Sequence, residues 1–264
     1  MQRLFWLCPP LMLLAAVLAF LALGFSILSS ILVSLLIVCP VIIAYGVIRV
    51  RSLSKEPPAP TRGMALNWVA PFYDWYCPLI GLGRVFREKT VELADIRPGH
   101  KVLDVGCGTG VLTRMAAQKA GPDGSAAGID PAPAMIGEAR ISAGREKSRA
   151  EFRVAAMEDL PFDDNSFDIA LSSLMLHHLP PDVKIRGLAE VRRVLKPNGR
   201  LLLVDIDRPV TPLWWIIAWP LKLWPNTIEQ VRGNIGAYLE QAGFRDIKKE
   251  GNWIKILGFW SAMK

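Results

Sequence analysis

One acidic residue stands beside an unusual glycine pattern. Asp104 lies in the stretch KVLDVGCGTG and is followed by Gly106, Gly108 and Gly110. Glycine lets the backbone take positive φ and approach a ligand closely, so alternate glycines permit a tight turn with amides facing a bound group. A carboxylate at this position suits a cationic partner, such as the amino group of an amino acid, better than it suits a pyrophosphate.

A second carboxylate, Asp130, follows another apolar stretch further along the chain. At such a strand end a carboxylate accepts hydrogen bonds from both hydroxyls of an unphosphorylated ribose. The glycine spacing is G-x-G-x-G, whereas dinucleotide-binding proteins use G-x-G-x-x-G. The two acids therefore indicate a ligand that carries a nucleoside, and a nicotinamide oxidoreductase is disfavoured because its glycine pattern and a hydride-transfer set are both missing.

These residues need a scaffold in which strands end side by side. Short apolar runs alternate with segments of helical period, and this alternation predicts a parallel sheet covered by helices. A helix from Thr227 to Gly243 and a hairpin turning at Gly251-Asn252 are expected after that. The expected strands are 101–105, 125–129, 151–154, 167–171 and 201–204, and the expected helices are 111–119, 134–143 and 184–195.

From about residue 64 onward, the chain resembles the Rossmann-like (class I) S-adenosylmethionine-dependent methyltransferases, particularly the quinone-biosynthesis and lipid branch. The resemblance rests on four motifs in order: VLDVGCGTG, GIDPAPAMIGEAR, AAMEDLPFDDNSFDIALSSLMLHHL and EVRRVLKPNGRLLLVD. It implies an α/β fold with a mostly parallel central sheet closed by an antiparallel C-terminal hairpin. It also implies S-adenosylmethionine as the cofactor.

The resemblance assigns the acids and the glycine turn. Asp104 would hold the methionine amino group, the amides of 106–110 would face its carboxylate, and Asp130 would hold the ribose. Related enzymes often carry an acid where this chain has Ala156, so the adenine contacts fall to the neighbouring Met157 and to Glu158 or Asp159. The full expected cofactor set is Asp104, Gly106, Cys107, Gly108, Thr109, Gly110, Asp130, Pro131, Met157, Glu158 and Ser172.

The acceptor side is less sharply defined. In the family, a segment before the domain often carries a Tyr-Asp pair that lies over the cofactor, which makes Tyr73 and Asp74 candidates; packing and a local cap are the alternative. His177 and His178 could deprotonate an acceptor, although a structural or pocket-lining role is favoured. No ligand spacing around them forms a metal set, so no metal is expected, and no catalytic base is identified.

The N-terminal part of the chain is expected in a membrane. No charged residue occurs between Leu4 and Ile48. At about 1.5 Å per residue this is enough for two spans of a hydrocarbon core about 30 Å thick. The expected organisation is a transmembrane helical hairpin over 1–50, a proline-rich linker over 51–62 and the methyltransferase domain over 63–264. A cleaved signal peptide is disfavoured because the apolar region is about three times too long.

The charge distribution predicts the side of the membrane on which the domain lies and the kind of surface that it binds. Basic residues flank the apolar stretch at both ends, with Arg3 before it and Arg49 and Arg51 after it. Both ends, and the catalytic domain, are therefore expected on the cytoplasmic side. The net charge of +7 is spread without a basic block, which favours a membrane surface over nucleic acid. The four cysteines form no disulfide or zinc pattern.

The segment 207–226 is rich in tryptophan and proline and is expected to be an interfacial or substrate-entry element. Together these features predict a membrane-anchored methyltransferase acting on an apolar acceptor of lipid or quinone type. Two alternatives stay open: a cofactor-binding membrane protein without turnover, and a methyltransferase of a soluble molecule that is merely tethered. A methyltransferase of base amino groups is disfavoured, because SSLMLHH stands where an Asn/Asp-Pro-Pro-aromatic segment is expected.

Overall fold

The structure is a computed structural model that describes residues 9–24, 26–219 and 225–264. The chain divides into two compact units, Met1–Ser52 and Leu53–Lys264. The apolar part of the chain forms helix α1, Pro9–Ala22, and helix α2, Ile27–Leu53.

Helix α2 has the length and composition to cross a membrane, and no other helix in the described ranges does. Helix α1 has 14 residues, which is about 21 Å and shorter than a bilayer core of about 30 Å. The expected hairpin of two spans is therefore not shown. Residues 4–8, which were expected to begin the first span, lie outside the described residues.

The second unit holds a seven-stranded sheet with helices on both faces. Two short 3-10 helices lie at Asn67–Val69 and Leu176–His178. The helices are α3 Tyr73–Leu79, α4 Arg84–Leu93, α5 Val111–Ala120, α6 Pro133–Glu146, α7 Pro181–Val194, α8 Pro212–Ile217, α9 Pro225–Val231 and α10 Ile235–Gln241. The strands are β1 Lys101–Val105, β2 Ser125–Asp130, β3 Glu151–Val154, β4 Phe167–Ser173, β5 Leu195–Ile206, β6 Arg245–Trp253 and β7 Leu257–Met263.

The strand order is β3-β2-β1-β4-β5-β7-β6. The first five strands are parallel, and β7 runs antiparallel to both of its neighbours. This confirms the predicted Rossmann-like sheet closed by a C-terminal hairpin. The chain leaves β1 toward β2 on one side and later returns to β4 on the other. The carboxyl ends of β1 and β4 therefore border a crevice, which is where α/β sheets bind ligands.

The central strands are buried on both faces, as their near-continuous apolar runs predict. In β5, Leu201 and Leu203 join one core cluster, whereas Leu202 joins the cluster on the opposite face. All three side chains are fully buried. The strands are therefore held from both sides, and this fixes the positions at which the residues of the crevice leave the sheet.

Two sequence predictions are wrong in detail. The helix expected from Thr227 to Gly243 is divided into α9 and α10, because Gly233 between them adopts a φ of +92°. The hairpin does not turn at Gly251-Asn252, since both residues lie within β6 and pair with β7. The turn instead uses Ile254 and Lys255, whose φ values of +40° and +59° are left-handed.

Candidate active site

The glycine turn after β1 is tight, and its glycines are required by its conformation. Gly106, Gly108 and Gly110 have φ values of +74°, +53° and +74°. A Cβ added at Gly106 would lie 2.3 Å from Cγ of Met175, and one at Gly110 would lie 2.4 Å from the Phe152 ring. Only glycine combines this backbone conformation with such close packing.

The end of β2 holds this turn in place. Asp130 accepts hydrogen bonds from the backbone amides of Gly108, at 3.1 Å, and Ala132, at 2.9 Å. The amides of Gly106 and Cys107 both donate to the carbonyl oxygen of Ile129 at 2.8 Å. Together with the amide of Gly110, which donates to Cys107, four of the five amides of the turn have acceptors within the protein.

Asp104 is a buried carboxylate that is only half satisfied. Its side chain is 1% exposed, and its Oδ2 accepts a hydrogen bond from the Thr113 hydroxyl at 2.6 Å. Its Oδ1 has no hydrogen-bond partner among the described residues. Burial raises the pKa of this carboxyl to about 6. A buried acceptor without a partner is unfavourable, and the cationic amino group of a ligand would remove that penalty.

Two adjoining cavities open at the turn and together contain most of the expected site residues. The larger, of about 700 Å³ including space open to solvent, is lined by Tyr73, Gly106, Gly108, Asp130, Pro131, Met157 and Glu158. The smaller, of about 410 Å³, is lined by Asp104, Cys107 and Thr109 and shares Tyr73, Gly106, Ser173 and Leu174 with the larger. The size of the larger cavity is typical of small-molecule sites.

At two places the residue after the expected one lines the cavity. Ser172 lines neither cavity, whereas Ser173 lines both. Likewise His177 lines neither cavity, but His178 lines the larger one. Successive side chains of an extended strand point to opposite faces, which accounts for the exchange of Ser172 for Ser173 at the end of β4.

The two histidines have different environments. Nδ1 of His177 lies 2.6 Å from Oδ1 of Asp205, whose side chain is fully buried. The His178 ring lies 3.9 Å from the His177 ring, centroid to centroid. Burial, and to a smaller extent His177, lower the pKa of His178 to about 4. His178 is therefore neutral near pH 7 and presents an uncharged ring to the cavity.

Tyr73 and Asp74 connect α3 to the turn. Asp74 accepts a hydrogen bond from the Thr109 hydroxyl at 2.7 Å and lies 3.5 Å from the guanidinium of Arg87. Tyr73 lines both cavities, and burial raises the pKa of its phenol. Helix α3 is thus fixed over the turn by polar contacts.

The proline-rich segment also borders the site, which no pattern in the sequence indicated. Thr61 donates a hydrogen bond to Oε1 of Glu158 at 2.7 Å, and the amide of Ala59 donates to the carbonyl oxygen of Pro131 at 3.2 Å. Thr61 and Gly63 line the larger cavity. Oε2 of Glu158 is buried without a hydrogen-bond partner among the described residues.

The arrangement of potential metal ligands is a further feature of the described residues. Within the described residues, no group of three or more His, Cys, Asp or Glu side chains is arranged to hold a metal ion. The polar groups at the cavities are instead single carboxylates with incomplete hydrogen bonding, which suit an organic ligand with amino and hydroxyl groups.

Comparison with known proteins agrees with this geometry. Residues 102–199 match a family described as a methyltransferase domain. An uncharacterized methyltransferase of Synechocystis is 34% identical over 170 residues, which are 62% of this chain and 76% of that protein. A crystal structure of a SAM-dependent methyltransferase from Aquifex aeolicus superposes with a TM-score of 0.54 at 25% identity, covering 67% of this chain and 88% of that one.

A third relative is named for quinone chemistry. The ubiquinone/menaquinone biosynthesis C-methyltransferase of Ectopseudomonas mendocina is 38% identical over 149 residues, which are 55% of this chain. The match spans only 57% of that protein's length. The glycine turn, the two carboxylates, the sheet order and these similarities lead to one assignment: the chain belongs to the class I S-adenosylmethionine-dependent methyltransferases.

Proposed function

We propose that the protein is a membrane-anchored methyltransferase that transfers a methyl group from S-adenosylmethionine to an apolar acceptor of lipid or quinone type. The observation that carries the proposal is the lining of the larger cavity. Beside Gly106 and Asp130 it presents the apolar side chains of Met64, Leu66, Leu174, Met175 and Leu179. A cofactor site that opens into an apolar wall suits an apolar acceptor.

Three carboxylates would hold the cofactor. Asp104 would bind its amino group, because Oδ1 is buried and has no hydrogen-bond partner among the described residues. Asp130 would accept the ribose hydroxyls, since each of its oxygens accepts only one backbone amide and retains a lone pair. Glu158 would accept from the adenine amino group through Oε2, and the buried Met157 would contribute an apolar wall beside it. Cys107, Thr109 and Pro131 would pack around the ligand.

When bound, S-adenosylmethionine supplies a methyl group on a positively charged sulfur, an electrophile that needs no metal. The residues of this chain have to align the acceptor and exclude water. Tyr73 and Leu174 border both cavities and would hold the acceptor beside the turn. His178, neutral and in the same cavity, would accept a hydrogen bond from a hydroxyl on the acceptor and so orient it.

Helix α2 would anchor the protein. It holds 27 residues, about 40 Å of helix, which is enough to cross the bilayer core. Arg49 and Arg51 near its C-terminal end favour the cytoplasmic side for that end and for the catalytic unit. Helix α1 would form a second, shorter apolar segment before it.

The test begins with cofactor binding. Calorimetric titration of the full chain in detergent should show binding of S-adenosylmethionine and no binding of NADH, and Asp130→Ala should abolish it. Labelled methyl groups should then pass from the cofactor to a component of an organic lipid extract. Transfer only to water-soluble extract would contradict the apolar acceptor, and binding without any transfer would point to a protein without turnover.

A further inference from the structure

Three segments of the catalytic unit expose large apolar side chains. They lie at the end of α3, at the start of α4 and along α8 with its flanking residues. The six most exposed, which we call the docking face, are Leu79, Val85, Val210, Leu213, Ile216 and Trp219, with exposed fractions from 53% to 73%. Single exposed apolar residues are ordinary, but a continuous apolar patch indicates a binding surface.

Contacts among these elements show that the three segments are neighbours. The indole N–H of Trp253 donates to the carbonyl oxygen of Gly81, between α3 and α4, at 2.8 Å. Two residues further on, the carbonyl oxygen of Lys255 accepts from the amide of Val210, just before α8, at 3.0 Å. Beneath the surface, Cys77, Phe86, Ala218 and Ile256 pack in one buried cluster. The three segments therefore form one surface.

Two exposed basic residues beside the docking face, Arg208 and Lys255, have no acidic partner among the described residues. Residues 75–87, 208–219 and 251–257 contain two, one and one basic residues respectively, and no Asp or Glu. Arg84 and Arg87 are neutralised by Glu88 and Asp74, which immediately flank the first range. Such a combination of apolar side chains, tryptophan and positive charge is typical of surfaces that bind anionic membranes.

We propose that the docking face inserts into the interface of an anionic lipid bilayer. This inference rests on the proposed membrane function, since a chain anchored by α2 keeps its catalytic unit at high local lipid concentration. A second copy of the chain fits the surface less well. In a symmetric dimer the same patch would meet itself, and the positive charges around it would repel one another.

The docking face also lies over the smaller cavity. The smaller cavity is lined by three buried residues of α3, α4 and the loop between them, Cys77, Leu82 and Phe86, and also by Asp104 and Gly106. The buried cluster under the docking face contains the same three residues.

Photo-crosslinking in the full chain tests the proposal. A diazirine-bearing residue replaces Ile216 in protein reconstituted in phosphatidylcholine vesicles that contain phosphatidylglycerol. Irradiation should yield lipid adducts, identified by mass spectrometry. The matched control is the same replacement at Ile141 of α6, an exposed isoleucine outside the patch. Its lipid adduct yield should be several-fold lower.

Charge supplies a second, independent measurement. Arg208→Gln should lower the ratio of docked to undocked protein by about fivefold in the anionic vesicles, and should change nothing in pure phosphatidylcholine. Arg145→Gln on α6 should have no effect in either. Equal lipid adduct yields at 216 and 141, or adducts to protein in place of lipid, would overturn the docking face. If the chain failed to associate with vesicles at all, the anchored function itself would fail.

Discussion

At the scale of single residues, the site is built from carboxylates that the fold leaves incompletely bonded. Asp104 is buried with one free oxygen, and Asp130 is held by two amides, yet burial raises the pKa of each to about 6. Burial of these two carboxylates lowers the stability of the folded protein, because both charges would be better solvated in the unfolded chain. Buried carboxylates with incomplete hydrogen bonding are expected at a site where a ligand supplies the missing donors.

The pKa of Asp104 leads to a stability prediction. Its folded-state pKa lies above the ordinary 3.8, so the folded protein binds the proton more tightly. The contribution of Asp104 to the free energy of unfolding is therefore complete below pH 3.8 and is lost as the pH rises through about 6. Asp104→Asn should remove this loss and make the ligand-free protein more stable at pH 8 by about 3 kcal/mol. Thermal unfolding at pH 5 and pH 8 measures it.

The same variant should bind S-adenosylmethionine far more weakly, since the neutral amide cannot pair with a cationic amino group. An exposed carboxylate, Asp123, serves as the control, and Asp123→Asn should change neither stability nor affinity appreciably. An Asp104→Asn protein that is stabilised but binds the cofactor normally would refute the role of Asp104 in binding.

The glycine turn permits a matched pair of substitutions. Gly106 and Gly121 have nearly the same φ, +74° and +72°, but only a Cβ at Gly106 would meet another group, Met175 at 2.3 Å. Gly121→Ala should cost about 1–3 kcal/mol for the backbone alone, because its φ of +72° with a ψ of −169° lies in a region that almost only glycine adopts. Gly106→Ala should cost about 1–3 kcal/mol more and should abolish cofactor binding. Urea unfolding of the two variants gives the difference; equal losses would contradict the packing argument.

At the scale of elements, the cavities are closed by segments that lie outside the sheet. Helix α3 is fixed to the turn by the hydrogen bond between Thr109 and Asp74. The proline-rich segment is fixed by Thr61, which donates to Glu158. Because both segments are held by isolated contacts and not by a continuous ladder of backbone hydrogen bonds, they should open more easily than the strands do.

Removing the Thr61 hydroxyl tests this attachment. Thr61→Val would leave Oε1 of Glu158 with the long hydrogen bond from the Arg62 amide, at 3.4 Å, and the lost hydroxyl donor should cost about 1 kcal/mol. We expect faster amide hydrogen exchange at Ala59, whose amide bonds Pro131, and weaker cofactor binding. Thr61→Ser keeps the hydroxyl and should resemble the wild type. Unchanged exchange at Ala59 in the valine variant would show that the segment is held by packing alone.

At the scale of the whole molecule, the chain joins an apolar unit to a catalytic unit. The proposed function requires the first to act as an anchor, and α2 is the described helix with the length to do so. The alternative is a soluble enzyme whose apolar segment serves another purpose.

Charge placed in the middle of α2 separates these possibilities. Leu36 is exposed near the centre of the helix, and Leu36→Arg should oppose insertion by about 2.5–3.5 kcal/mol. Membranes carrying the wild-type chain should retain it after carbonate washing, whereas the variant should be partly released. Ser52→Arg, at the end of the helix, is the control and should be retained. Release of the wild type under the same wash would contradict the anchor.

The sequence by itself determined the class of the protein and the order of its elements, because those depend on local patterns. Apolar runs with helical segments between them identify strands β1 to β5, and the glycine turn with Asp104 and Asp130 indicates a ligand that carries a nucleoside. The sequence predictions that were wrong concern where elements break and which neighbouring residue faces the site. The breaks at Gly233 and at Ile254-Lys255 depend on packing and on the register between β6 and β7, which no local pattern encodes.

Only the tertiary structure decided which neighbour faces the site. Ser173 lines the cavities in place of Ser172, and His178 in place of His177, because the last pleat of β4 and the following turn set which way each side chain points. The use of the turn amides by Ile129, and the contact of Thr61 with Glu158, join segments remote in sequence. Local residue patterns specify which groups are available, and long-range packing specifies which of them meet.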